Sequence, residues 1–219
     1  MPPPLRRTTF EMSRALEFFT ERELQMQIGF APHNWGIALT KELIDNAMDG
    51  CESAEGSPAI TLTHEGRRLT VQDNGVGLPL TTLERSLDYL VRVSDKAHYV
   101  SPSRGQLGNA LKCVWAAPYV LSREGKGCVT VATSSGQYLI EVELDHLAQQ
   151  PTLSLTVQEE GKIKTGTAIV IDWPEKATVV CPSPQFLSSA LPSLVPASGL
   201  CALQSPRELY LRGSGALGQ

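Results

Sequence analysis

The residues Glu42-Leu-Ile-Asp45-Asn46-Ala-Met-Asp49 place three carboxylates and an amide at positions i, i+3, i+4 and i+7. At 3.6 residues per turn this spacing predicts a helix with all four groups on one stripe. Ile37, Ile44, Met48 and Cys51 fall on the opposite side and supply an apolar face to bury. A stripe of Glu, Asp, Asn and Asp makes poor core. It suits a hydrated divalent cation and an activated water, because hard cations such as Mg2+ prefer oxygen ligands. Taken alone, the same stripe also fits an acidic, solvated helix face, so its meaning depends on the motifs that follow.

The pattern around it predicts the elements that would position such a helix. Residues 10–28 read as one helix, with Phe10, Leu16, Phe18, Phe19 and Leu24 among charged residues, before a break at Gly29-Phe30-Ala31-Pro32. The acidic-stripe helix runs from about His33 to Cys51. Ala59–Thr63 and Arg68–Asp73 alternate as two short strands joined across Glu65-Gly66, a hairpin pattern. Asp73-Asn74-Gly75-Val76-Gly77 is turn-forming, and Thr81 with Glu84 has the spacing of a capping box ahead of Leu83, Leu87 and Leu90. Residues 94–104 are polar and unpatterned, the composition of a loop. Gly105-Gln106-Leu107-Gly108 then leads into a helix carrying Leu111, Val114 and Trp115. Four strand-like segments follow at about 127–133, 136–144, 152–158 and 166–173, an expected antiparallel meander. The expected architecture is α+β, a two-layer sandwich with helices on one face of a mixed sheet. Three parts are expected: 1–30 as an N-terminal strap or helix, 31–174 as the main domain, and 175–219 as a loosely packed Pro/Ser-rich extension with a disordered end.

Composition narrows the function. The formal net charge of −4 gives no basic footprint for nucleic acid, so direct DNA contact by this domain is not expected. Five scattered cysteines without a C-x-x-C pair fit neither a zinc site nor a disulfide framework and point to a reducing compartment. No apolar run approaches the ~18 residues of a membrane span, and the start lacks a secretory signal. The expectation is a soluble, cytoplasmic protein without a membrane partner, or a nucleoid or nuclear one if it serves a DNA-processing complex. The four histidines lack metal-ligand spacing, Ser101 and Ser103 near His98 lack an orienting acid, and Trp35, Trp115 and Trp173 read as core.

Four elements stand in order: E-x-x-D-N on a helix, D-x-G-x-G after a strand, G-x-x-G opening a helix, and Gly166-Thr167 opening a strand. Each is weak alone. The ordered set resembles the GHKL (Bergerat-fold) ATPases. Phe18-Phe19, Ile28-Gly29-Phe30, Glu42 to Gly50, Gln72 to Pro79 and Ser103 to Gly108 resemble the B subunit of topoisomerase VI, and Gly-Asn-Ala-Leu-Lys is also similar to the MORC-type ATPases.

The resemblance implies ATP between the acidic helix and the sheet. Glu42 would be the general base for the attacking water. Asn46 would bind Mg2+ through its side-chain oxygen. Asp45 and Asp49 would hold outer waters or pair with basic neighbours. Asp73 would accept a hydrogen bond from the adenine amino group, its plainer alternative being a turn aspartate. Gly75 and Gly77 would let the backbone pass close to the nucleotide. Gly105, Gln106, Leu107 and Gly108 would make the phosphate turn. Where the pattern has a third glycine, this chain has Ala110. Arg104 and Lys112 would offer charge to the phosphates, each with a solvated surface role as its alternative. Thr167 would complete the adenine pocket.

By the same resemblance, the chain would be a Mg-dependent ATPase acting as a nucleotide-driven dimerisation switch in a topoisomerase-like DNA-processing assembly. Residues 94–104 would be its lid, and 1–30 a dimer-exchange strap. No segment after Pro174 reads as a transducer domain; were the 219 residues the entire protein, hydrolysis alone would be slow or a partner would supply the lysine for the γ-phosphate, and a DNA-cleaving or transducer partner subunit is implied. The alternative is a catalytically weak nucleotide-binding interaction module. A histidine-kinase domain ranks last, because no phosphoacceptor helix is visible.

Overall fold

Burial alternates along β2, with Leu69, Val71 and Asp73 turned inward while Arg68 and Gln72 stand exposed. The same period of two recurs along β1 and is what a sheet with one covered face produces. The computed structural model describes residues 16–89, 109–145, 150–175, 200–204 and 208–213. Its helices are α1 (Leu16–Phe19), α2 (Glu21–Ile28), α3 (Trp35–Glu52), α4 (Leu80–Ser86) and α5 (Ala110–Leu121). Its strands are β1 (Ala59–Glu65), β2 (Arg68–Asp73), β3 (Lys126–Thr133), β4 (Gln137–Asp145), β5 (Gln150–Gln158), β6 (Thr167–Asp172), β7 (Leu200–Gln204) and β8 (Glu208–Gly213). One sheet contains them in the order β5-β4-β3-β6-β2-β1-β8-β7. Helices α3 and α5 pack on the face formed by Ile60, Leu62, Leu69, Val71, Val131 and Ile171. The architecture is the expected α+β two-layer sandwich.

Several expectations are corrected. The helix predicted over 10–28 is split at Thr20, which is extended (φ −117°, ψ 149°) so that its Oγ1 can accept from Glu23 N and cap α2; residues 10–15 lie outside the described residues. Pro32 opens a short 3-10 turn, so α3 begins at Trp35, whose indole N–H donates to Phe30 O at 2.9 Å. The capping box at Thr81 and Glu84 does not form. Pro79 takes the cap position with φ −63°, ahead of Leu80, and Thr81 becomes part of the first turn.

The four late strands are not a simple meander. Only β3, β4 and β5 follow one another; β6 returns between β3 and β2. The reason is legible in burial. Thr167, Ala168 and Ile169 are buried in succession along β6, as a strand flanked on both sides requires. In β5, Thr152, Ser154 and Thr156 are exposed between half-buried Leu153 and Leu155, the pattern of an edge. The sheet is antiparallel at every described pairing rather than mixed. Strands β2 and β3 run the same way, but β6 separates them, so they form no parallel ladder. The segment expected as a loose extension contributes the β7–β8 hairpin, which pairs with β1 through β8 from Ala59↔Arg212 to Thr63↔Glu208.

The three tryptophans are core, with Trp35 and Trp115 fully buried and Trp173 at 3% exposure. Phe18 and Phe19 of α1, expected in a strap, lie against Tyr89 with ring centroids at 4.9 and 4.6 Å. Among the described residues no helix is long and apolar enough to cross a membrane. Trp115 anchors α5 from both ends of its side chain: the ring is buried and Nε1 donates to Ser86 Oγ at 2.9 Å. Trp115→Ala should therefore cost about 3–5 kcal/mol of unfolding free energy, read as a lower urea midpoint at unchanged m-value. A loss below about 1 kcal/mol would contradict this packing.

Candidate functional site

Strand β2 ends at Asp73, and the next four residues make the turn predicted from their composition. Asp73 Oδ1 accepts from Gly75 N at 2.8 Å and from Thr167 N at 3.2 Å. The first bond closes the turn and the second joins it to the start of β6. Asn74 locks the other side: its Oδ1 accepts from Ala59 N at 2.8 Å and from the Cys51 thiol at 3.3 Å, and its Nδ2 donates to Ser57 O at 3.1 Å. Val76 N donates to Gly50 O, so the turn is also pinned to the last turns of α3. Gly75 is required here because a Cβ would overlap the Gly50 carbonyl and Cys51 N. Gly166 is equally constrained, at φ +76° and against the Asp73 carbonyl. Gly77 lies close by, its φ of +82° facing the Gly166 carbonyl.

This turn, α3 and the start of α5 enclose a cavity of about 530 Å³. Glu42, Asp45, Asn46 and Asp49 all line it, so the predicted stripe faces one space, which Asp73, Gly77 and Thr167 also line. Val71, Leu78, Pro79 and Ile169 give it an apolar wall. Asp73 is 7% exposed; burial raises its carboxyl above the ordinary value, against the opposing pull of the Gly75 and Thr167 N–H groups. Both bonds go to Oδ1 rather than to Oδ2. Thr167 Oγ1 accepts from Leu78 N at 2.9 Å and keeps its own hydrogen to donate.

On α3, Asp45 is buried at 7% exposure, its Oδ2 2.6 Å from Lys41 Nζ and its Oδ1 without a hydrogen-bond partner. Asn46 Nδ2 is also buried without a partner. Glu42 reaches toward α5: with burial as the larger cause, its charge helps push the Cys113 thiol up to about 12. That excludes Cys113 as a nucleophile at neutral pH. Glu42, Asp45 and Asp49 do not converge on a metal site, since among the described residues no group of three or more His, Cys, Asp or Glu is placed to hold one.

Lys112 departs from both of its predicted roles. It is neither solvated nor on the cavity wall; it is 2% exposed, and its Nζ donates to Asp88 O at 2.6 Å. Tyr89 OH returns a bond to Lys112 O at 2.8 Å. The apolar face of α5 is wide enough to draw this lysine inward, and burial lowers its pKa, offset in part by Asp88. Arg104, Gly105, Gln106, Leu107 and Gly108, together with the 94–104 lid, lie outside the described residues. Ala110, standing at the missing third glycine, is already helical and lines the cavity. Sequence reasoning missed Lys41; its signal was the i,i+4 spacing to Asp45. It also missed Asn109, a cavity residue whose Nδ2 donates to Gln27 Oε1 at 3.4 Å.

Fold and site define a two-layer α+β protein with an acidic, partly apolar cavity between one helix and a sheet. No family model matches the chain. It is 25% identical over 143 residues to the B subunit of type 2 DNA topoisomerase 6 from Archaeoglobus fulgidus, covering 62% of this chain and 23% of that protein. It is 29% identical over 171 residues to the subunit of the same name from Natronomonas pharaonis, covering 74% of this chain and 21% of that protein. The chain is thus related to topoisomerase VI B subunits and spans less than a quarter of the length of these two relatives.

The raised Asp73 pKa has a stability consequence. A carboxyl whose folded pKa exceeds its unfolded value of 3.8 destabilises the fold above the folded pKa, and the penalty disappears below the unfolded one. Asp73→Asn keeps the accepting oxygen without the charge. The ligand-free variant should unfold at a higher temperature than wild type at pH 7, and the gap should close as the pH falls below 3.8. A variant less stable than wild type at pH 7 would show the charge itself to be stabilising.

Proposed function

We propose that the chain is the ATP-binding and ATP-hydrolysing portion of a topoisomerase VI B-like subunit. The observation that carries this reading is Asp73: a buried carboxylate, held through Oδ1 by two backbone N–H groups, with its other oxygen available to the cavity beside the Thr167 hydroxyl. A rigid acceptor next to a donor, between the apolar side chains of Val71, Leu78 and Ile169, suits a flat base bearing an amino group. Charge at this point lowers stability, and a ligand hydrogen bond offsets that loss.

The rest of the wall supports the same reading. Glu42 lines the same cavity, close enough to Cys113 of α5 for its charge to act there, and there it can orient a water and accept its proton. Asn46 and Asp45 present buried polar atoms without partners, as residues awaiting a ligand or its waters do. Mg2+, when bound, would neutralise phosphate charge; Asn46 would hold it. Arg104 and Gly105 to Gly108 would meet the phosphates. In this reading nucleotide drives homodimerisation, and a partner subunit supplies DNA cleavage; DNA is handled by the assembly rather than by this domain.

Two measurements test the reading. With Mg2+ and a non-hydrolysable ATP analogue at about a hundred times its Kd, unfolding free energy should rise by roughly 2.7 kcal/mol, and Asp73→Asn should abolish the shift. Glu42→Ala should keep the shift and lower turnover by about a hundredfold or more. Absence of a shift in wild type, or loss of binding along with turnover in Glu42→Ala, would contradict the assignment.

A further inference from the structure

The cavity wall is acidic. Among its described lining residues are four carboxylates, Glu42, Asp45, Asp49 and Asp73, and one cation, Lys41. A polyanion does not enter such a wall without positive charge to meet it. Lys112, the helix lysine expected to help, is committed to the Asp88 carbonyl inside the core.

Lys41 is placed differently. Its side chain is 33% exposed, and its Nζ sits 2.6 Å from Oδ2 of Asp45, whose side chain is 9% exposed. The pair adds little to helix stability, because a lysine N-terminal to its acid at i,i+4 is the weaker orientation. Nor does the pair satisfy Asp45, whose Oδ1 is buried without a hydrogen-bond partner. Asp45 is therefore a mostly buried carboxylate that uses one oxygen to hold a lysine at the mouth of an acidic cavity.

We propose that Lys41 is a cation for the polyphosphate end of the ligand, and that Asp45 is the residue that positions it. The inference rests on the nucleotide reading above and deepens it. An ammonium carries three donors, so Lys41 can stay on Asp45 and still offer N–H groups to phosphate oxygens. Anchoring a flexible four-carbon stem in advance removes part of the ordering cost that binding would otherwise bear. The unpartnered Asp45 Oδ1 is left to accept from a water carried with the phosphates.

The test is calorimetric titration of the full chain with adenosine and with a non-hydrolysable ATP analogue, each with Mg2+. Wild type is compared with Lys41→Met, Lys41→Arg, Asp45→Asn and the Met/Asn double variant. Lys41→Met should weaken the triphosphate analogue by about ten- to a hundredfold, the range of a charged hydrogen bond, and leave adenosine affinity unchanged. Lys41→Arg should retain most of the analogue's affinity. Asp45→Asn should cause a smaller, several-fold loss, and the double variant should bind no more weakly than Lys41→Met alone. Unchanged analogue affinity in Lys41→Met, with wild type binding both ligands, overturns the inference and leaves the nucleotide reading standing. Equal loss of adenosine and analogue shows a structural lysine and also overturns it. If wild type binds neither ligand, the nucleotide reading fails and takes the inference with it.

Discussion

Two backbone N–H groups, from residues 92 positions apart, converge on one oxygen of Asp73. Most of the site depends on that convergence. It requires β6 to lie beside β2 with Thr167 level with the end of the strand, and so requires the return of β6 into the middle of the sheet. It brings the turn after β2 so close to α3 that Gly75 has no room for a side chain. A buried carboxylate with a raised pKa is an unfavourable centre for a fold. That the chain builds a turn, a strand register and two glycine contacts around it is more consistent with a recognition group than with a structural one.

Helix α3 carries the other half of the arrangement by serving two environments at once. Leu39, Leu43, Ile44, Ala47, Met48 and Cys51 are buried, which holds the helix against the sheet and fixes its rotation. Rotation in turn decides which polar groups face the cavity. Once the apolar side is seated, Glu42, Asp45, Asn46 and Asp49 have one place to go. The hydrophobic contact thus fixes which polar groups of the helix line the cavity.

The features legible in the sequence were those set by local periodicity. The acidic helix followed from 3.6-residue spacing, the β1–β2 hairpin from alternation around Glu65-Gly66, and the Asp73 turn from its glycines. What was not legible depended on long-range packing. Thr81 and Glu84 had capping-box spacing, yet Pro79 set the helix start. Lys112 read as a surface or phosphate lysine, because nothing local shows that Asp88 O, Tyr89 and the inner side of α5 enclose it. The insertion of β6 between β2 and β3 was hidden for the same reason, although the unbroken run Ala168-Ile169-Val170-Ile171 carried the signal of a central strand. Lys41 belongs to no motif of its own, and an i,i+4 lysine–aspartate spacing is ordinary on exposed helices.

The central claim is that the Asp73 cavity reads adenine, and base discrimination tests it most directly. Inosine triphosphate differs from ATP at the six position, where an oxo group replaces the amine. Competition of each nucleotide against a bound fluorescent ATP analogue would compare them at the same site. A site built to accept a hydrogen bond from the amine should reject the oxo base strongly, so ATP should displace the probe at concentrations about a hundredfold or more below inosine triphosphate. Equal displacement by the two would contradict the assignment of Asp73 as the base-reading group.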